Sequence, residues 1–506
     1  MSRNSDADKT RFPDKTYAQT VLGPLFDHSK VQFAAPLCMI NRAHCVMLTE
    51  TGILAHEDGA AIAAALERIE ANLDPDAMHY SGEFEDLFFF IEAELNKLIG
   101  TDLAGRLHTG RSRNDMDHTI FRMKLRAQID RLAGKGRALA QSLLTKARAE
   151  RDTIIVAYTH GQPAQPTTFG HYLSAALEVL LRDLERLAAA RDIVDQCPMG
   201  AAAITTTGFP LDRTRMAELL GFAGVQRNSY GCIATVDYVT ASYSALSLMV
   251  MHLGRLVQDF QFWTSFEVAQ LYVPNSFVQI SSIMPQKRNP VPIEHLRLLG
   301  SLAMGQADGM VKIMHNTPFT DMNDSEGEVQ TSGYAAFASA GRMLDLLDAL
   351  IPSLLVENEK VRANIDRSSI TVTELADTLV RDEGLPFRLA HEVAAEVARG
   401  GVARETPLSA GFDLFTSAFS TIVGRPSALT GAQYAHAVTP ENFIAIRNRL
   451  GGPAPEAMEE SFAVYSAQLE AISQRASASI DRADAAQAAL ADVFVRLAGS
   501  FKQKEA

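Results

Sequence analysis

Long stretches of this chain place apolar residues three and four apart with no proline between them. The clearest runs from Gly170 to Gln196, where Leu173, Leu177, Leu180, Leu181, Leu184 and Leu187 share one wide face. That spacing is the period of an α-helix and predicts a long one. Two further proline-free tracts, Leu211 to Val273 and Ile293 to Thr317, are each bounded by prolines, where helices tend to stop. Strand patterns are sparse. Asp152 to Tyr158 contains a β-like run, but no alternation repeats over several hairpins as a sheet protein would need. The pattern predicts an all-α protein with a central long-helix bundle. Apolar faces this wide predict burial on several sides, inside a large bundle or against other subunits.

Boundaries follow from the turn residues. A division just after the Asn114-Asp115 turn and another near Ser368 to Ile370 give an N-terminal helical domain over 1–117, a central helical bundle over 118–369 and a C-terminal helical domain over 370–506. The last holds a Gly/Pro-rich turn, Gly451 to Glu456, before a closing Ala-rich amphipathic helix.

Composition narrows the function. With 506 residues, 47% hydrophobic and 21% charged, the chain is globular and long enough for two or three cores. Its formal charge of -13 argues against nucleic-acid and anionic-membrane binding, which need basic surfaces. An anionic substrate must therefore meet local positive charge. Cys38, Cys45, Cys197 and Cys232 lie scattered without metal-ligand spacing and read as reduced thiols of a cytoplasmic protein. The sequence calls for no metal and no cofactor. Its polar start has no apolar core of a secretory signal, and the most apolar stretch, Val239 to Gly254, is interrupted by Ser244, Ser247 and His252 and reads as a core helix.

Three polar segments stand out at Gly- or Pro-marked turns, far apart in the chain. HTGRSRND, His108 to Asp115, offers neutral donors at Ser112 and Asn114 and a guanidinium fork at Arg113, which suits a carboxylate; a helix N-cap with a solvated basic turn reads equally simply. YTHGQPAQPTTFGH, Tyr158 to His171, sets His160 beside Thr159, where an imidazole could move a proton near neutral pH or merely satisfy the structure. SSIMPQKRNP, Ser281 to Pro290, places paired serines before a proline-stiffened loop holding Lys287 and Asn289, a base or nucleophile together with anion stabilisers. A Ser/Lys hydrolase would need a GxSxG elbow on a sheet, and the sequence has neither.

The third segment resembles the GSSxMPxKxNP signature of the fumarase/aspartase superfamily, with Ile280 where glycine is usual. The first and second resemble the corresponding regions of argininosuccinate lyases. The likeness continues through Gly200 to Arg213, Thr373 to Val380, Leu385 to His391 and Gly451 to Glu456. It implies a three-domain helical fold, a homotetramer, and active sites that combine the three segments from three different subunits.

The resemblance also implies a chemistry. A base takes a Cβ proton from a succinyl group, an aci-carboxylate forms, and the carbon-nitrogen bond breaks by anti elimination to give fumarate and an amine. Ser281 would be the base, with Lys287 and Asn289 stabilising charge. Ser112, Arg113, Asn114, Thr159 and Gln162 would hold the substrate, with Ser282 and Met284 shaping the loop. His160 paired with Glu294 would orient or relay a proton.

Several positions depart from the argininosuccinate lyase pattern. Val291 stands where aspartate follows the third signature, and Phe88 stands where histidine is usual. Aligned on Asp321-Met322, the segment that holds the arginine portion has Pro318, Asn323 and Glu326 in place of Tyr, Gln and Lys. The fumarate-forming residues are kept and the arginine-reading ones altered. The expectation is a lyase for another N-substituted L-aspartate, such as an aminopolycarboxylate. A genuine argininosuccinate lyase and a catalytically silent crystallin-like protein are the alternatives.

Overall fold

The architecture, seen in a computed structural model that describes residues 12–505, is almost entirely helical. The polar start read against a secretory signal lies mostly outside the described residues. The head contributes α1 (Ala34–Glu50), α2 (His56–Ala71) and α3 (Leu87–Ile99). The bundle is built from α4 (Arg113–Ala149), a hairpin of β1 (Ile154–Thr159) and β2 (Gln162–Thr168), α5 (Phe169–Val194) and α6 (Asp237–Trp263). A minimal hairpin, β3 (Gln279–Ile280) with β4 (Arg288–Asn289), then leads to α7 (Val291–Met314) and α8 (Gly327–Ser353). The tail comprises α9 (Val372–Glu383), α10 (Phe387–Ala403), α11 (Phe412–Val423) and the closing α12 (Pro455–Glu505).

Five long helices close a ring: α4 packs on α5, α5 on α6, α6 on α7, α7 on α8, and α8 returns to α4. The leucine face expected from Gly170 to Gln196 lies on α5, and its six leucines are at most 2% exposed. At about 1.5–3 kcal/mol for each fully buried leucine, that face alone contributes on the order of 10 kcal/mol before chain entropy is counted. Thr168 caps the helix by accepting from the His171 amide at 3.0 Å.

Two expectations change in detail. The tract from Leu211 to Val273 is not one helix. It breaks at Gly221, which sits at φ 68°, and at Asn228, whose side chain caps a short helix by accepting from the Gly231 amide at 3.0 Å, before α6 begins. The Asn114-Asp115 pair forms no turn either. It lies in the first turn of α4, because Asp115 Oδ1 accepts from the Ser112 amide at 2.9 Å and starts the helix there. The boundary drawn after residue 117 thus falls inside α4.

The tail divides as well. A second apolar core, with Leu375, Val393, Phe415 and Tyr434 at its centre, belongs to α9–α11 and their neighbours. The closing helix α12 packs back on α2, α4, α5 and α1, and its Phe462 and Phe494 join the main core. Asp195, 1% exposed, fixes this return. It pairs with Arg126 at 3.0 Å, with Arg191 at 2.6 Å and with Arg482 of α12. Cys38, Cys45, Cys197 and Cys232 are free thiols. Among the described residues no helix is long and apolar enough to cross a membrane.

Candidate active site

The first segment is set at the N-terminus of α4. Asp115, 0% exposed, accepts from three backbone amides: Ser112 at 2.9 Å through Oδ1, and Gly200 at 2.9 Å and Ala202 at 3.0 Å through Oδ2. One carboxyl thereby joins the helix start to the loop that follows Met199. That loop is strained. Ala202, Ala203 and Thr206 have φ of 48°, 74° and 64°, left-handed values that side chains disfavour.

Ser112 Oγ donates to Asn114 Oδ1 at 3.2 Å, and Asn114 Nδ2 donates to Asp321 Oδ2 at 2.6 Å. The segment before α8 is thus tied to the helix start. Arg113 does not stand free as a carboxylate fork. It pairs with Asp86 at 2.7 Å and Glu85 at 3.1 Å and lies 4.9 Å from the Phe89 ring centroid. Phe88, which stands where histidine was expected, is buried against His108, their ring centroids 5.2 Å apart.

Around Asn114 lies an acidic group that the sequence reading did not assemble. Asp117, Asp321 and Glu326 gather beside His118, which is 1% exposed. Burial, then Asp86 and Asp321, push the Asp117 carboxyl up to about 8. Burial, a hydrogen bond with Asp321 and the Asp117 charge raise Glu326 out of the usual carboxylate range. Burial and then Arg122 lower His118 to about 3, so its imidazole is neutral. Ligand atoms of His118, Asp321 and Glu326 lie within 4.8 Å of one another, near enough to share a cation. The sequence leaves open whether Asp321 and Glu326 meet a cationic amine or face solvent. Asn114, Asp117 and His118 lie about 200 residues from it in sequence, and no local pattern signals that meeting.

The second segment forms the tip of the β1–β2 hairpin. Thr159 pairs with Gln162 across a two-residue turn in which His160 (φ 53°) and Gly161 (φ 71°) are both left-handed. The base of the hairpin is rigid, since buried Gln270 accepts from the Val156 amide at 2.8 Å and donates to its carbonyl at 3.2 Å. Thr159, His160 and Gln162 are exposed at the tip. His171 lies at the other end, bonded to Thr167 Oγ1 at 2.8 Å and to the Gly451 carbonyl at 3.0 Å, a structural role.

The third segment is the loop between β3 and β4. Ser281 Oγ accepts from the Met284 amide at 3.0 Å and the Ile283 amide at 3.4 Å. Arg288 anchors the loop: it donates to the Val273 carbonyl at 2.7 Å, bonds Asn275, and lies 4.6 Å from the Tyr272 ring centroid. Between these fixed ends Ser282, Met284 and Lys287 are exposed and Asn289 is half-buried. Glu294 is exposed in the first turn of α7. Among the described residues no hydrogen bond or ion pair joins His160 to Glu294, and none joins the three segments to one another within one chain.

The chain matches the family model described as lyase over residues 28–305 and that described as argininosuccinate lyase C-terminal over residues 369–445. It is 58% identical, over 98% of both chains, to argininosuccinate lyase 2 of Agrobacterium fabrum. It is 36% identical to argininosuccinate lyase of Cupriavidus pinatubonensis over 84% of this chain and 90% of that one. Among solved structures, EDDS lyase in complex with formate superposes with a TM-score of 0.85 at 29% identity, over 97% of this chain and 99% of that one.

Proposed function

The chain belongs to the argininosuccinate lyase family of the fumarase/aspartase superfamily and is a carbon-nitrogen lyase that yields fumarate; from that premise we propose that its substrate is an N-substituted L-aspartate other than argininosuccinate. The observation that carries this reading is the acidic character of the site beside Asn114. Glu326 occupies a position where the related pattern has lysine, beside Asp321 and Asp117, so an amine bearing a free carboxylate would find no ammonium counter-charge there. The name of the 58% identical relative favours argininosuccinate itself, and substrate comparison separates the two readings.

The reaction needs a base at the Cβ proton. In this reading Ser281 supplies it as an alkoxide, whose negative oxygen is stabilised by the Met284 and Ile283 amides already aimed at Oγ and by the Lys287 ammonium. The proton passes to Ser281, and the C–H electron pair spreads onto the neighbouring carboxylate as an aci-carboxylate. Collapse of that species forms the carbon-carbon double bond and expels the nitrogen with the C–N pair. The nitrogen takes up one proton, relayed through His160 with Glu294, and leaves as the amine. Asn289 donates to the aci-carboxylate, while Ser112, Asn114, Thr159 and Gln162 hold the succinyl carboxylates. Arg113 acts through its ion pairs, keeping the helix start in place. Ser282 and Met284 shape the loop, whose closure would exclude water.

The three segments would complete one another in a homotetramer. Supporting this, the hairpin tip and the Ser281 loop are exposed, and α6 and α7 leave Leu248, Met251, Leu298 and Leu302 at the surface, 37–52% exposed. The reading requires neither cofactor nor metal and places the protein in the cytoplasm with small-molecule partners. The direct experiment is Ser281→Ala in the full chain, followed by fumarate absorbance. Loss of turnover with an unchanged oligomer is expected; near-normal activity would remove Ser281 from its role.

A further inference from the structure

Two aromatic rings stand in solvent beside the start of α4. Phe319 is 67% exposed and Tyr230 41%, and they stack with ring centroids 6.0 Å apart and planes 25° from parallel. A buried ring takes about 150–250 Å2 out of water, a gain these two forgo on their outer faces. Singly exposed apolar residues are ordinary, but two rings from distant segments stacked in the open form a patch of the kind that marks a binding surface. Among the described residues no third ring packs on either.

Both rings are fixed to the site. Phe319 follows Pro318 in a tight turn, in which the Thr320 amide donates to the Pro318 carbonyl at 2.8 Å. Two residues on, Asp321 accepts from Asn114 Nδ2 at 2.6 Å. Two residues of chain span at most about 7 Å, so Phe319 leaves the backbone close to the Asn114 side chain. Tyr230 comes from another direction. It lies on the short helix Ser229–Ala234, which packs on α4 and whose Cys232 and Ile233 share a small core with Ala201. Ala201 stands between Gly200 and Ala202, whose amides Asp115 holds. The stack thus joins two segments that the start of α4 holds separately, one through Asn114 and one through Asp115.

We propose that Tyr230 and Phe319 form the wall that selects the departing amine, and that this amine carries an aryl group on a short alkyl spacer. The inference rests on the N-substituted aspartate reading above and names the class of amine. With the succinyl carboxylates held by Ser112 and Asn114, a nitrogen substituent a few atoms long reaches the rings. A flat apolar group laid on the open face of Phe319 extends the stack and takes three ring faces out of water together. A guanidinium also lies well on aromatic faces, so arginine belongs among the amines compared.

The test uses the reverse reaction of the full-length enzyme, with fumarate and four amines: 2-phenylethylamine, 2-cyclohexylethylamine, butylamine and arginine. Ring burial and stacking predict kcat/KM about tenfold higher for 2-phenylethylamine than for butylamine, and about threefold higher than for the puckered cyclohexyl compound. Phe319→Ala should reduce the phenylethylamine-to-butylamine ratio about five- to tenfold, whereas Phe319→Tyr, which keeps the ring, should retain it. Tyr230→Ala is the second variant should Phe319→Ala fold poorly. Butylamine adding as well as 2-phenylethylamine, or a ratio unmoved by both alanine variants, would overturn the proposal and leave the N-substituted aspartate reading intact. Arginine as the best amine, or no addition by any amine, would overturn both. A smaller oligomer for Phe319→Ala in light scattering would mark the rings as a contact between subunits and overturn the proposal as well.

Discussion

Asp115 gives the sharpest test of how the site is built. Its carboxyl is fully buried and satisfies three backbone amides, those of Ser112, Gly200 and Ala202. Replacing it with alanine leaves three buried N–H groups unpaired, each worth about 1–3 kcal/mol. Relief from burying the carboxyl and water entry into the vacated space offset part of that. A net loss of about 3–5 kcal/mol is expected, at the upper end of single-substitution effects. The loss is local first. Amide exchange in the segment 198–208 should accelerate about ten- to a hundred-fold as one 1.5–3 kcal/mol bond per amide disappears. Exchange followed by mass spectrometry reads this directly, alongside melting temperature and fumarate formation. Activity should fall because Ser112 and Asn114 stand on the same helix start, and Asp115→Asn, which keeps one acceptor, should fall between. Unchanged exchange over 198–208 with wild-type melting would refute the assignment of Asp115 as the tie.

Other outcomes follow from the same geometry. Since the Asp117 carboxyl is raised from 3.8 to about 8, the folded state binds its proton more tightly than the unfolded chain; the stability this gives is full below about 4 and is lost as pH rises through about 8. Melting temperature should therefore drop between pH 6 and 9 more in the wild type than in Asp117→Asn, and equal slopes would exclude that titration. Asp195→Ala, which takes the shared carboxylate from Arg126, Arg191 and Arg482 and leaves Arg191 with Asp130 alone, should cost about 3–5 kcal/mol, whereas Arg482→Ala leaves Asp195 twice paired and should cost about 1 kcal/mol. Chemical denaturation distinguishes them, and equal losses would contradict the pairing. Mixed reassembly of inactive Ser281→Ala and His160→Ala subunits should restore part of the activity, and none would count against sites shared between chains.

What could be read from the sequence was whatever local periodicity or turn chemistry fixes. The leucines of α5 announced their helix, and the His160-Gly161 pair marks a tight turn that the β-like run at 152–158 feeds into. Long-range placement was less visible. Nothing in the alanine-rich periodicity of α12 says that it returns to pack on α2, because the decision rests on Asp195 and the arginines that converge on it. Arg113 read as a substrate fork because a lone arginine beside Ser and Asn suits a carboxylate; Asp86, 27 residues earlier, takes the guanidinium instead. The meeting of Asp117 with Asp321 and Glu326 depends on how α8 closes the ring against α4, a property of the assembled bundle.

The central claim is that this enzyme releases fumarate from an N-substituted aspartate that is not argininosuccinate. Its most direct test compares, in one preparation, argininosuccinate cleavage with the addition of arginine and of non-arginine amines to fumarate. The account predicts that fumarate is consumed with at least one non-arginine amine and that argininosuccinate is cleaved poorly. Efficient cleavage of argininosuccinate would contradict it.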